Sequence, residues 1–519
     1  MTRDSVGTLC VVLHTHLPWV AGHGTWPVGE EWLHQAWSAS YLPLVEVLHD
    51  LADEGRRDLL TIGLTPVLAA QLDDPTCLRE HHQWLGRWQM RAEELAGRRG
   101  AGRDLRDLAT HEFRAAGRAL DTFDHVWRHG GSAALRPVAD AGTIELLGGP
   151  ATHPVLPLLP DPVARLAVAS GLDDAAARLG HRPRGVWAPE CAVAPGLESV
   201  LAAAGVEHLM VDEATLRAGG GSTDRAWAWG DVLVLGRDMQ LTDRVWSSRS
   251  GFPAGADYRD FHDLDHPTGF RTSRVTDADS SLKAPYDPDA AAGQALRDAM
   301  TFTAAVRERL SGRAAAGEQP LAVVAWDTEL FGHWWHEGPL FLAAVLRMLP
   351  EAGVRLATLG QVAAEQRDTA KPVDLPAGSW GHGKDLRLWA GDAVADLARE
   401  GREVAARLLD VVRRCAPPGS ARDPRLDDLA REALLALSSD WAFMVSRDTA
   451  AGYGRDRHAG HVRRFHQVTD GMDTVDRLRR AGHRVVPHLD ARTLHRPGMT
   501  GRLTGHRKGV RRPFAEVTP

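Results

Sequence analysis

The chain has 519 residues, of which 44% are hydrophobic and 25% charged, and a formal net charge of −7. That length exceeds what one ordinary core organises, so two or three domains of a soluble globular protein are expected. The acidic balance gives no reason to expect nucleic acid or an anionic membrane as partner, and no run of 18 apolar residues offers a membrane span.

In chain order, the amino-terminal apolar run is too short for a signal sequence. Strands are predicted at 8–14 (TLCVVLH), 59–64 (LLTIGL), 143–147 (TIELL), 184–188 (RGVWA), 207–211 (EHLMV), 232–236 (VLVLG) and 321–326 (LAVVAW), with a shorter one at 354–358. Helical stretches alternate with them, which argues for a parallel sheet covered by helices, closed or open. The clearest unit runs from 184 to 212: a strand, a loop, a helix begun by Pro195 and stopped by Gly205, and the next strand. Residues 76–130 hold helical patterns without a strand and read as an insertion. Residues 237–287 are rich in Gly, Asp, Ser and Pro and read as a long loop. A catalytic domain is therefore expected over 1–390, and a helical domain built from amphipathic segments over 391–495. The basic, Gly-rich stretch 496–519 reads as a poorly ordered tail. The four cysteines, Cys10, Cys77, Cys191 and Cys415, form no CxxC pair, so a reducing cytoplasm is the expected location.

Two carboxylates stand directly after predicted strands, Glu190 after RGVWAP and Asp327 after LAVVAW. In a parallel barrel both would lie at the carboxyl ends of strands, where the active sites of such folds are built. A structural ion pair or a helix cap would account for either one alone. The pair is what glycosidic bond cleavage requires, one group to attack the anomeric carbon and one to protonate the leaving oxygen. His14 and His16 in HTHLPW alternate along a strand and share a face; they read as a metal pair or as hydrogen-bonding groups for sugar hydroxyls. His153, His333 and His336 extend a histidine-rich rim. Zinc would want three ligands, and neither HExxH nor HxD occurs in these motifs, which places substrate contact ahead of metal. The chain also has 17 Trp against 4 Tyr. Trp84, Trp88 and Trp127 fall on helices and read as packing, whereas Trp246, Trp380 and Trp389 lie in polar stretches and read as exposed platforms for sugar rings.

Five motifs, HTHLPW (14–19), ELLGGPATHP (145–154), VWAPECAVAPG (186–196), AWDTELFGHWWHEGP (325–339) and SWGHGKDLRLW (379–389), resemble in order the five signature regions of glycoside hydrolase family 57. The details are closest to the 1,4-α-glucan branching enzymes of that family, of the actinobacterial type, and the resemblance extends through SSDWAFM (438–444). It implies an α/β fold, a (β/α)7 barrel distorted from the eight-stranded form, with a helical insertion and a C-terminal α-helical domain. It implies a retaining double displacement on an α-1,4-glucan such as amylose or glycogen, with Glu190 as nucleophile and Asp327 as acid/base, and transfer of the cleaved chain to a 6-hydroxyl. Neither metal nor other cofactor is implied. His14 and His153 match positions that line the subsite of the cleaved sugar, and Trp246, Trp380 and Trp389 match aromatic platforms. His16, Trp19 and His333 complete the expected substrate-binding set. Archaeal relatives carry a longer loop with a tyrosine tip where this chain has RAGGGSTDRAWAW (217–229), so Trp227 and Trp229 are the aromatics available there. An α-amylase or 4-α-glucanotransferase of the same family, a zinc-dependent deacetylase or α-mannosidase, and a non-catalytic glucan-binding scaffold are the alternatives.

Overall fold

The run GTLCVVLHT is apolar on both of its alternating faces, the pattern of a strand covered on two sides. It forms β1 (Gly7–Thr15), and every residue from Leu9 to Thr15 is buried. Around it lie β2 (Leu60–Leu64), β3 (Ile144–Leu147), β4 (Gly185–Val186), β5 (His208–Val211), β6 (Val232–Gly236) and β7 (Leu321–Asp327). The computed structural model describes residues 5–25, 28–100, 102–247, 250–265, 269–277, 282–469 and 485–495; the predicted tail 496–519 lies outside them.

All seven strands run parallel. β7 pairs with β1 (Thr8↔Leu321 to His14↔Asp327), β1 with β2 (Val12↔Thr61) and β2 with β3 (Leu60↔Ile144). An isolated bridge, Gly148↔Val186, carries the ring from β3 to β4; β4 then pairs with β5 and β5 with β6. The backbone N–H of Asp238 donates to the Val323 carbonyl at 2.6 Å and joins the end of β6 to β7. The ring is thus the expected (β/α)7 barrel, and its seven strands are the seven read from the sequence. The joint is held from outside as well, because the buried Asp238 carboxylate accepts from Arg309 (2.8 Å) and Arg313 (2.7 Å).

Strand parity decides what faces the interior. Cys10 and Val12 of β1 join Val323 and Ala325 of β7, Leu147, Trp187, Met210 and Leu233 in the central cluster. Leu9, Val11 and Leu13 turn the other way with Ala322, Val324 and Trp326, against the helical layer. By the same parity His14 and its register partner Asp327 project from the inner face at the carboxyl end of the barrel.

The structure differs from the sequence reading in several places. The short strand at 354–358 forms as Val354–Leu356, but it pairs with the first residues of β1 beneath β2 and stands off the ring. A strand the sequence reading missed, Ala226–Trp229, forms an antiparallel hairpin with β6 through Gly230, whose positive φ of 57° turns the chain. Trp229 is consequently buried, and Trp227 donates its indole N–H to the Ser222 carbonyl at 2.8 Å. Neither stands at a loop tip. The supposed loop 237–287 contains the helix Met239–Trp246, capped by Asp238, and a small hairpin of Leu264–Asp265 with Phe270–Arg271.

The insertion is a pair of helices, α1 (Pro75–Ala96) and α2 (Arg103–Thr122), joined where Trp88 Nε1 donates to Glu112 at 2.9 Å. Asp74 caps α1 through its side chain. The helix α3 (Pro288–Ala315) leads into β7. Beyond residue 390 come α4 (Ala395–Cys415), α5 (Pro424–Ala436), α6 (Ser439–Ser446) and α7 (Ala451–Thr469), of which α4, α5 and α7 share one core with the barrel. Leu408, Val412, Leu434 and Phe465 pack with Trp19, Val67, Ala151, Val163 and Leu166. Among the described residues no helix is long and apolar enough to cross a membrane.

Candidate functional site

Beyond β4 the chain turns sharply. Glu190 (φ 61°) and Cys191 (φ 49°) both take the left-handed backbone region, as does His153 (φ 60°) after β3. Residues with a Cβ occupy that region seldom, and those held there gather where side-chain placement matters. The turn aims the Glu190 carboxylate at two donors. Trp380 Nε1 donates to Oε2 at 3.0 Å, and Ser439 Oγ donates to Oε1 at 2.8 Å. The backbone repeats the first contact, Trp380 N–H to the Glu190 carbonyl at 2.9 Å. Burial pushes the Glu190 carboxyl above its ordinary value, and the two hydrogen bonds oppose that push without cancelling it.

Asp327, the last residue of β7, keeps partial exposure, and its carboxylate makes no hydrogen bond to any described residue. Burial, then the charges of Glu329 and Glu190, hold it well above the usual aspartate range, with Arg237 acting the other way. Glu329 is itself buried. It accepts from the Tyr41 hydroxyl (2.5 Å) and from the His16 backbone N–H (3.2 Å), and burial pushes its carboxyl up to about 7. Arg237 is tied to Asp212 at 2.6 Å and lies 5.3 Å from the Trp380 ring centroid, beneath the indole that holds Glu190.

Three of the four predicted histidines, His14, His16 and His153, stand together. His16 stacks on His153 with centroids 3.9 Å apart, and His14 stacks on Trp187 at 4.3 Å. His153 Nδ1 shares a hydrogen bond with Ser439 Oγ at 2.9 Å. His16 Nε2 lies 3.1 Å from both Asp440 oxygens, and its Nδ1 3.0 Å from Thr65 Oγ1. Burial disfavours a charge on His16, but the Asp440 charge and hydrogen bond, with Glu190 and Glu329, outweigh it and raise the imidazole. Burial and the neighbouring His16 hold His14 and His153 far below the ordinary range, hence neutral. His14 Nδ1, His153 Nε2 and Trp187 Nε1 are buried without a hydrogen-bond partner among the described residues.

Donor-type atoms of His16, His153 and Asp440 lie within 4.8 Å of one another. Their geometry suits a hydrogen-bond relay better than a metal. His16 already bonds Asp440 and His153 already bonds Ser439. Imidazole lone pairs lie in the ring plane, and these rings are stacked at only 22°, so they do not converge on one ion.

The remaining predicted residues separate. Trp380 joins the cluster. Trp246 is 42% exposed and meets Trp334 edge to face at 6.1 Å, so it presents an open ring. Trp389 is not the exposed platform expected of it: it is 3% exposed and packs with Val155, Ala192 and Leu388. The short helix Arg387–Ala390 turns it inward, toward a cavity of about 260 Å³ shared with Leu158, Leu437 and Trp441. Trp19 is also buried, against the C-terminal helices. His333 lines a different cavity, taken up below. The sequence reading did not single out Ser439, Asp440, Glu329 or Trp187. Ser439 and Asp440 lie on α6, 249 and 424 positions away from the residues they touch, and only the motif SSDWAFM marked their region.

Residues 10–376 match the model of glycosyl hydrolase family 57. The chain belongs to that family. Residues 401–490 match the C-terminal region of 1,4-alpha-glucan branching enzymes. Among members, the chain is 47% identical to a probable 1,4-alpha-glucan branching enzyme of Mycobacterium tuberculosis over 94% of its own length and 98% of that protein. The crystal structure of the family 57 branching enzyme from Pyrococcus horikoshii superposes with a TM-score of 0.88 at 30% identity, covering 94% of this chain and 97% of that one. The α-amylase AmyC of Thermotoga maritima superposes at 0.82 with 24% identity over 95% and 100% of the chains, a likeness of fold alone.

Proposed function

We propose that this family 57 member is a 1,4-α-glucan branching enzyme working by retaining double displacement. The observation that carries the reading is the unequal surrounding of the two carboxylates at the carboxyl ends of β4 and β7. Glu190 has a donor on each oxygen, which favours its ionised form, whereas Asp327 has none and sits beside other acids, which favours its protonated form. Glu190 therefore attacks the anomeric carbon of an α-1,4-linked chain while Asp327 delivers its proton to the departing O4. A covalent glycosyl-enzyme forms, and Asp327, now ionised, takes the proton from the 6-hydroxyl of an acceptor glucan that breaks the ester. The neutral His14 and His153 offer ring nitrogens to the bound sugar, and the charged His16 helps to balance the negative charge around Glu190. Trp246 with Trp334 forms an aromatic rim on which an incoming chain stacks. Full-length similarity to branching enzymes, including the C-terminal region, supports transfer over hydrolysis. Cys10, Cys191 and Cys415 are free thiols, which supports a cytoplasmic site of action.

Incubation with amylose tests the reading. Reducing ends should stay nearly constant during the reaction and rise after treatment with an α-1,6-specific debranching enzyme. Reducing ends that accumulate during the reaction, with no new α-1,6 links, would overturn it.

A further inference from the structure

A cavity of about 390 Å³ opens between α1, α2 and the segment 332–340 that follows the Asp327 loop. None of its lining residues belongs to the Glu190 cluster. The volume is that of small-molecule sites, which combine apolar faces with a few placed polar groups. Trp84 and Trp88 lie in its wall; each donates its indole N–H to a carboxylate, Glu31 (3.0 Å) and Glu112 (2.9 Å), and the Arg91 guanidinium lies 5.5 Å from the Trp84 ring centroid. Glu112, 2% exposed, also pairs with Arg259 at 2.7 Å. The imidazoles of His333 and His336 are pushed down to about 3 by burial and nearby arginines, and thus stay neutral donors and acceptors. Arg91, Arg118, Arg271, Glu31 and Glu46 also line it, so donors and acceptors of both signs stand beside the aromatic rings and neutral imidazoles, a mixture that suits the hydroxyls and apolar faces of a sugar.

The location gives the site a purpose. The backbone N–H of His333 donates to Ser40 Oγ at 3.0 Å, and the next residue, Tyr41, holds Glu329 beside Asp327. Trp334, which also lines the cavity, is the partner of Trp246. The cavity is therefore linked to the acid/base side of the catalytic centre through one helical segment, whose Ser38, Ala39 and Leu42 line it while Tyr41 reaches Glu329.

We propose that this cavity is a second glucan-binding site, which holds the acceptor chain beside Asp327. The assignment of the chain as an acceptor rests on the branching reading; the binding of sugar does not.

The test counts sites. In Glu190→Gln protein, which cannot turn over, calorimetric titration with maltotetraose should give two sites per chain. Adding Ala115→Phe, which fills the cavity from α2, should leave one. Trp334→Ala, at a position already 38% exposed, should weaken the second site about tenfold without unfolding the chain. One site in the Glu190→Gln protein, or two sites of unchanged affinity in both variants, would overturn the proposal. In otherwise wild-type protein, Ala115→Phe should lower α-1,6 link formation on amylose more than cleavage of a short maltooligosaccharide. Two sites in a protein that never forms α-1,6 links would refute branching and leave the sugar site standing.

Discussion

At the scale of single residues, the two carboxylates differ in what their neighbours do to a proton. On the proposed mechanism activity needs Glu190 ionised and Asp327 protonated, so it should fall as pH drops through the Glu190 value and again as pH rises through that of Asp327. Since burial and neighbouring acids raise Asp327 well above the aspartate range, the alkaline limb lies on that raised value. Ser439→Ala removes one donor from the ionised Glu190. A hydrogen bond to a charged group is worth about 1.5–3 kcal/mol, and a pKa unit about 1.4, so the acid limb of kcat/KM should move up by about one to two pH units. An unmoved limb with uniformly lower activity would reduce Ser439 to a packing role. Asp327→Asn should slow reaction on amylose by about 10²–10⁴-fold, and much less on a 4-nitrophenyl maltooligoside, whose leaving group departs without a proton. An equal loss on both substrates would deny Asp327 the part of acid.

At the scale of elements, the two outlying tryptophans make opposite predictions. Trp389 is enclosed by Val155, Ala192 and Leu388, so Trp389→Ala should cost about 3–5 kcal/mol, read from denaturant unfolding. Trp246→Ala, at an exposed position, should change stability little and lower transfer relative to hydrolysis. The same pair shows where the sequence was legible. The seven barrel strands, the helical pair and the positions of Glu190 and Asp327 follow from apolar runs and their punctuation, because those local patterns also decide burial. Both Trp246 and Trp389 lie in polar stretches, yet a four-residue helix turns one inward and an aromatic partner keeps the other at the surface. That depends on what packs against them. Ser439 and Asp440 were illegible for the same reason, since nothing local in α6 marks them as partners of Glu190 and His16. The Ala226–Trp229 strand went unread because AWAW carries no β-branched residue and its pairing with β6 and with Lys371–Pro372 is what extends it.

At the scale of the molecule, the C-terminal helices are part of the candidate site rather than an appendage. They supply the Ser439 donor to Glu190 and the Asp440 partner of His16, and Ser439 N–H donates to the His153 carbonyl at 3.0 Å. Most of their apolar face has no separate core: Leu408, Leu434 and Phe465 share a cluster with Trp19, Val67 and Leu166 of the barrel, and among the described residues only Leu397, Trp441 and Met444 form a small cluster of their own. A chain of this length ordinarily unfolds in stages, one domain at a time. Here separating the helices from the barrel would expose both halves of one cluster, at roughly 25 cal/mol for each Å² of apolar surface. Scanning calorimetry should therefore show one cooperative transition, with activity lost along the same curve. Leu434→Ala should lower the midpoint of that whole transition, by a cost of about 2–5 kcal/mol. A separate early transition in the variant, with barrel unfolding left in place, would show that the helices are held by their own contacts and only lean on the site they complete.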